Sequence, residues 1–144
     1  MDPHSPEVRS KNMSAVRARN TRPEHIVRSL LHRMGYRFRL QAEELPGKPD
    51  IILPKYRTVI FVHGCFWHQH PGCKKAKRPA TRIEFWNKKL DDNITRDARN
   101  YQLLSDQGWR VLVVWECEML DQERLAVRLK RSIKAMASDS DEVV

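Results

Sequence analysis

The sequence of 144 residues has no apolar run approaching the roughly 20 residues that a membrane-spanning helix needs. Its first residues, MDPHSPEVRSKN, also lack the apolar core of a secretory signal, so a cytosolic location is expected. No internal repeat and no linker-like segment divides the chain. Together with 40% hydrophobic and 31% charged residues, these absences favour one globular domain of ordinary composition.

Acidic residues are in deficit. The chain has 27 lysines and arginines against 18 acidic residues, a formal net charge of +9, and the excess lies mainly in segments 9–22 and 74–82. Basic segments attract polyanions because neutralising phosphates releases condensed counterions. A solvated basic face without a partner explains the charge equally well. The sequence has no basic amphipathic helix that would indicate a membrane surface instead.

Hydrophobic periodicity predicts the element order α-β-β-β-α-β-α, which is an α/β domain with a mixed sheet flanked by helices. Thr21 is a good N-cap for the first helix, which we expect to end near Gly35. A strand with one buried face should follow over residues 36–40. The runs PDIIL and YRTVIFVH predict a hairpin of two core strands, and WRVLVVWEC predicts another buried strand. Helices are expected over residues 81–107 and around residues 125–136.

Only three cysteines are present, so they cannot all pair as disulfides. Cys65, His70 and Cys73 have the spacing C-x4-H-x2-C, which lets one loop curl around a zinc ion. Cys117 is the one remaining cysteine, at the end of a strand that can lie beside VIFVH. We therefore predict a closed, structural zinc site. Cys117 as a buried core thiol is the alternative.

A Mg²⁺-dependent nuclease site needs carboxylates to hold the ion and a group to activate water. GKPDIIL offers Asp50 at the start of a hairpin strand, but the next strand ends in Phe61-Val62-His63, without the glutamate and lysine of the common arrangement. Glu24 would then be the second carboxylate, and histidines would replace the lysine. Each of these residues also fits an ordinary structural role: Asp50 in a turn, Glu24 in a helix-capping box and His63 at a core position.

Six motifs, in order, resemble the Vsr family of bacterial very-short-patch-repair mismatch endonucleases: RSKNM, PGKPD, VHGCFWHQH, PATRIEFW, ITRD and GWRVLVVWEC. The resemblance runs from Arg9 to Glu118. It implies a restriction-endonuclease-like fold with a degenerate PD-(D/E)xK site. It also implies an enzyme that nicks one strand of duplex DNA 5′ to the T of a T:G mismatch, the product of 5-methylcytosine deamination.

The resemblance also implies roles for individual residues. The Mg²⁺ ligands would be Asp50 and the backbone carbonyl of Val62. The active-site histidines would be His63 and His68, and Glu24 would contact metal-bound water or orient a histidine. The zinc ligands match the four residues chosen by spacing: Cys65, His70, Cys73 and Cys117. This chain differs from the family in having Val62 for a threonine, Gln69 for a histidine, and a loop longer by one residue at Pro71-Gly72.

For DNA, the resemblance implies that Phe66, Trp67 and Trp86 wedge into the major groove beside the mismatch. Core packing is the alternative for Trp86. Lys89 and Met13 would lie close to the mismatch. The remaining implied contacts belong to an N-terminal arm and are Arg9, Lys11 and Asn12.

We therefore expect an arm over residues 1–20, an endonuclease domain over residues 21–136 and a disordered acidic tail over residues 137–144. The implied partners are mismatched double-stranded DNA and the mismatch-repair protein MutL. The chain is expected to be a monomer located with the bacterial nucleoid. Two other functions stay open: a nickase or restriction-type nuclease of the same fold but different specificity, and an inactive, zinc-stabilised DNA-binding module.

Overall fold

The computed structural model describes the backbone of residues 21–142 and the side chains of residues 21–134. The predicted N-terminal arm, with Arg9, Lys11, Asn12 and Met13, lies outside the described residues. Within the described part of the chain, no helix combines the length and the apolar character needed to cross a membrane.

Three helices and four strands form the domain. The helices are α1 (Arg22–Arg33), α2 (Ile83–Asp106) and α3 (Gln122–Glu142). The strands are β1 (Arg39–Leu40), β2 (Ile51–Leu53), β3 (Thr58–His63) and β4 (Arg110–Trp115). This is the predicted order α-β-β-β-α-β-α.

The ends of α1 follow from its sequence. The Thr21 side chain accepts a hydrogen bond from the Glu24 backbone N–H at 3.4 Å, which satisfies one of the free donors of the first turn. Beyond the last turn, Gly35 has a φ of +85°, a conformation that side-chain-bearing residues rarely adopt. The predicted cap and the predicted end of this helix are confirmed.

The strands lie in the order β1-β2-β3-β4. β1, β2 and β3 are antiparallel neighbours, whereas β3 and β4 run parallel, and α2 provides the crossover connection that a parallel pair requires. The register of the parallel pair runs from Thr58 opposite Arg110 to His63 opposite Trp115. The predicted mixed sheet flanked by helices, with WRVLVVWEC beside VIFVH, is confirmed.

Both faces of the sheet are covered. Ile60 points to one face, where α1 and α3 pack, and this cluster includes Leu31 and Leu129 at zero exposure. The neighbouring residue Phe61 points to the other face, where α2 contributes Leu104. Such two-sided burial explains the near-continuous apolar runs of β2 and β3.

The structure differs from the sequence-based expectation in three places. β1 has only two residues, both exposed, although Tyr36 and Phe38 before it pack on the core. Cys117 lies in a 3₁₀ turn (Glu116–Leu120) after β4 rather than in the strand itself. The last helix continues to Glu142, into the segment expected to be disordered, because no glycine or proline interrupts it.

Replacing Leu129 by alanine should lower the free energy of unfolding by about 2–5 kcal/mol, because the side chain is fully buried between α3 and the sheet. Val127 lies on the same helix and is 56% exposed. Its alanine variant should change the stability by no more than about 0.5 kcal/mol. Urea denaturation of both variants tests this packing, and equal losses would contradict it.

Candidate active site and metal cluster

Asp50 stands directly before β2, and its carboxylate turns back onto the neighbouring strand. Its Oδ2 accepts a hydrogen bond from the Val62 backbone N–H at 2.7 Å, and its own N–H donates to the Ile60 carbonyl at 3.1 Å. Asp50 is therefore part of the hairpin and not only the end of a turn. The contact places a carboxylate against the backbone of the residue from which a carbonyl ligand is expected.

Glu24 is the second carboxylate at this place. It is only 2% exposed, pairs with Arg28 at 3.1 Å and hydrogen-bonds Asp50. Burial, together with the neighbouring Glu24, raises the pKa of Asp50 to about 7, against the lowering effect of the Val62 N–H. Glu24 thus has a role beyond the helix cap that its sequence position suggests. Two buried carboxyl groups this close repel each other when both are ionised. A divalent cation bound between their oxygen atoms would relieve that repulsion, so the pair suits such an ion.

His63 and His68 form a stacked pair. Their ring centroids lie 3.6 Å apart with an interplanar angle of 10°. His63 ends β3 and is buried, and burial together with the neighbouring His68 lowers its pKa to about 3. His68 lies in the following loop and is 25% exposed. The structure brings together the two histidines that were predicted to act together.

Two residues of α2 hold this pair, and neither was predicted to belong to the site. Asp97 Oδ2 lies 2.7 Å from His68 Nδ1, and the Tyr101 hydroxyl lies 2.7 Å from His63 Nε2. Burial raises the pKa of Tyr101, and the nearby Asp97 and Asp50 raise it further. Asp97 belongs to the motif ITRD, which was recognised only as part of the family pattern.

The face that α2 turns inward explains why these residues were missed. Ile83 and Ile94 of this helix are 54% and 42% exposed, so these apolar residues do not face the core. The inward face instead interleaves polar with apolar residues at three- and four-residue steps. It consists of Leu90, Asn93, Asp97, Tyr101 and Leu104. The signal in the sequence was the presence of Asn93 and Asp97 at helix positions that otherwise carry core residues.

Cys65, His70, Cys73 and Cys117 also come together. Their candidate ligand atoms all lie within 4.8 Å of one another, and His70 Nδ1 is 3.7 Å from Cys65 Sγ and 3.5 Å from Cys117 Sγ. Burial raises the pKa of Cys65 to about 12, and the adjacent thiols contribute to that shift. Crowded sulfur and nitrogen donors at these distances fit one thiophilic cation in a tetrahedral arrangement. Cys117 is not an isolated core thiol.

Sheet register accounts for the meeting of Cys65 and Cys117. His63 is paired with Trp115, so each cysteine follows its strand by two residues. The Glu116 carboxylate accepts a hydrogen bond from the Cys65 N–H at 3.1 Å, which holds the two turns together. The His70 ring stacks on Trp115 with centroids 4.2 Å apart. The pairing of β3 with β4 thus places the metal cluster beside the histidine pair.

Phe66, Trp67 and Trp86 form a half-buried aromatic cluster with ring centroids 5.1–5.9 Å apart. Trp86 belongs to this cluster rather than to either core cluster. Lys89 follows Trp86 on α2 and is exposed.

The backbone under the aromatic cluster is held by amide side chains. Buried Asn93 donates to the Trp67 carbonyl at 3.0 Å. Gln69 donates to the Phe66 carbonyl at 2.7 Å and accepts from Arg78 at 2.9 Å, and Arg78 in turn bonds Asp91 of α2 at 2.7 Å. The residue that departs from the family pattern at position 69 therefore fastens the loop to α2.

Comparison with known proteins gives consistent matches. The model of the family "DNA mismatch endonuclease Vsr" matches residues 1–75. The type II nicking enzyme V.XorIIP of Xanthomonas oryzae pv. oryzae is 52% identical over 126 residues, which is 88% of this chain and 92% of the relative. The DNA mismatch endonuclease Vsr of Escherichia coli is 49% identical over 124 residues, which is 86% of this chain and 79% of the relative. The type II nicking enzyme V.NmeAIP of Neisseria meningitidis is 40% identical over 126 residues, which is 88% of this chain and 89% of the relative.

Replacing Asn93 by alanine should lower the free energy of unfolding by about 1–3 kcal/mol, because the Trp67 carbonyl loses a buried donor. Gln102 is the matched control on the same helix, since its amide bonds Asp106 at the surface. Its alanine variant should stay within about 0.5 kcal/mol of the parent. Urea denaturation compares the two, and an Asn93 variant as stable as the control would refute the bracing role.

Proposed function

Because this chain belongs to the Vsr family of DNA mismatch endonucleases, we propose that it nicks one strand of duplex DNA at a T:G mismatch. The cut falls 5′ to the T, and such mismatches arise when 5-methylcytosine deaminates. The observation that carries the proposal is the assembly of Asp50 and Glu24 beside the hairpin with the stacked His63–His68 pair at the end of β3.

The proposed Mg²⁺ site consists of Asp50 and the Val62 carbonyl, with Glu24 beside Asp50. When bound, the ion supplies positive charge against the scissile phosphate and the leaving 3′-oxygen. The donor set supports this role, because Asp50 and Glu24 are buried close enough to raise the pKa of Asp50. The site does not need the lysine of the common arrangement, because the cation would stabilise the phosphate charge and the histidines would handle the water.

His68 is the proposed base that takes a proton from the attacking water. Its 25% exposure leaves it open to substrate, and Asp97 at 2.7 Å orients the ring. His63 stays neutral at physiological pH, because its pKa is about 3, and it orients the water around the cation. The two stacked rings therefore do different things: one moves a proton, and the other positions solvent.

Phe66, Trp67 and Trp86 are the proposed wedge in the major groove. Unstacking a base step costs a few kcal/mol, and least where pairing is already defective, so the wedge favours mismatched sites. Lys89 on the same side of α2 suits a contact near the mismatch. The proposed arm residues, Met13 with Arg9, Lys11 and Asn12, lie outside the described residues, and their roles rest on the resemblance.

Zinc is the proposed occupant of the cluster of three cysteines and His70. Four protein ligands close the coordination shell, so the ion is structural and takes no part in the cut. It fixes the loop that carries both the wedge and His68. A monomer suffices for this function because a single-strand nick needs one active site, and MutL remains the expected protein partner.

A zinc-stabilised DNA-binding module without activity is the second candidate. It would keep the metal cluster and the basic segments but would not need the assembled acids and histidines. The same geometry leaves open a nickase of other specificity, which the choice of substrate distinguishes.

In Mg²⁺, the protein should nick end-labelled duplexes with T:G at least about 100-fold faster than matched C:G duplexes. Asp50→Asn should lower the nicking rate by at least about 100-fold. The fold should survive, because the amide can still accept from Val62 and no longer repels Glu24. Asp92→Asn, at an exposed ion pair on α2, is the control and should cut normally.

Equal cutting of matched and mismatched DNA would overturn the mismatch specificity. DNA binding without any cutting by the parent protein would favour the inactive module. The substrates should place T:G in several methyltransferase sequence contexts, so that failure in one context is not mistaken for failure of the enzyme.

The purified protein should contain one zinc ion per chain, and His70→Ala or Cys117→Ser should lose it. His32→Ala is the control, because His32 is exposed on α1 away from the cluster, and it should keep the ion. Loss of zinc should lower the melting temperature and abolish nicking. Metal analysis and thermal denaturation measure both effects, and zinc retained in both cluster variants would exclude this ligand set.

A further inference from the structure

We propose that Tyr101 is a positioning residue for His63. Its hydroxyl holds Nε2 of the imidazole, which leaves Nδ1 to face the reacting groups. The inference rests on the proposed nuclease function and concerns the same site. It starts from one contact: the Tyr101 hydroxyl oxygen lies 2.7 Å from His63 Nε2.

Helix α2 presents Tyr101 and Asp97 four residues apart and therefore on one face. Asp97 contacts His68 and Tyr101 contacts His63, both at 2.7 Å, while the two rings stack at 3.6 Å. Each histidine of the pair thus has its own partner from one helix face. A carboxylate holds the partly exposed ring of His68, and a neutral phenol holds the buried ring of His63.

An imidazole needs such a partner because its side-chain torsion has two broad minima that exchange the positions of the ring carbons and nitrogens. Stacking on His68 fixes the plane of the His63 ring but not which edge faces which way. A hydrogen bond to one nitrogen selects the edge and, in a neutral imidazole, also the tautomer. The Tyr101 contact provides that selection.

The proton position follows from the chemistry of the phenol. Its oxygen lone pairs are partly delocalised into the ring, so a tyrosine hydroxyl donates more readily than it accepts. Tyr101 therefore donates to Nε2, and His63 carries its own proton on Nδ1. His63 then offers an N–H donor toward the oxygen atoms of water or phosphate, which is the form needed to orient solvent.

Packing alone is the alternative role for Tyr101. Its ring packs on the cluster that contains Phe61, with ring centroids 5.3 Å apart, and a buried hydroxyl takes any available acceptor. Tyr101→Phe separates positioning from packing, because it keeps the ring and removes only the hydroxyl. Tyr36→Phe is the matched control, since Tyr36 packs on the opposite face of the sheet.

The experiment combines nicking kinetics with NMR of zinc-loaded, full-length protein labelled with ¹⁵N-histidine. Long-range ¹H–¹⁵N spectra give the tautomer of each neutral histidine, and the resonances of His63 are identified by their absence in His63→Asn. We expect the Nδ1–H tautomer in the parent protein and a tautomer mixture in Tyr101→Phe. On T:G duplexes in Mg²⁺, kcat should fall about tenfold with KM unchanged, a loss on the scale of one hydrogen bond. Tyr36→Phe should match the parent in both measurements.

An Nε2–H tautomer in the parent protein would overturn the proposal without reference to any variant. So would a Tyr101→Phe variant with unchanged kcat, or one whose kcat falls while the tautomer stays the same. If the parent protein does not nick T:G duplexes, the proposed function fails. The NMR result then still decides whether Tyr101 selects the tautomer of His63.

Discussion

β3 and β4 run side by side in parallel for six residue pairs, and this pairing fixes most of the candidate site. At its end His63 lies opposite Trp115, so the turns that follow both strands meet and bring Cys65 to Cys117. The same register seats the His70 ring on Trp115. A shift by one residue would turn His63 to the other face of the sheet and separate the cysteines. The metal cluster and the histidine pair are therefore two consequences of one strand alignment.

Helix α2 is the second support, and it works through polar residues on a face that would otherwise be apolar. Asn93, Asp97 and Tyr101 each donate to or accept from a group of the segment 63–68. Buried polar contacts of this kind give less net stability than apolar packing but demand a defined geometry. Polar residues replace part of the apolar face of the helix, and their hydrogen bonds fix the position of the loop.

Much of this architecture could be predicted because the signals are local. The Thr21 cap, the hairpin around Pro54 and the strand after Gly108 are each encoded within a few residues. The four metal-cluster residues were found by spacing and elimination. Asp97 and Tyr101 were missed because their partners lie 29 and 38 residues away, and no local pattern reports such contacts. The end of α3 was expected near residue 136, whereas the helix runs to Glu142, because no glycine or proline follows to break it.

The loop from His63 to Cys73 also connects the aromatic cluster to the chemistry. Phe66, Trp67 and His68 are consecutive, and the tight turn formed when the His68 N–H bonds the Gly64 carbonyl leaves little slack between them. Displacing the aromatic rings must therefore move His68 relative to Asp97, unless the amide braces hold the backbone still. On the proposed function, those braces allow the rings to meet DNA while the histidine keeps its alignment. Recognition and catalysis can then share one short segment, because α2 holds the segment between its two metal-cluster ends.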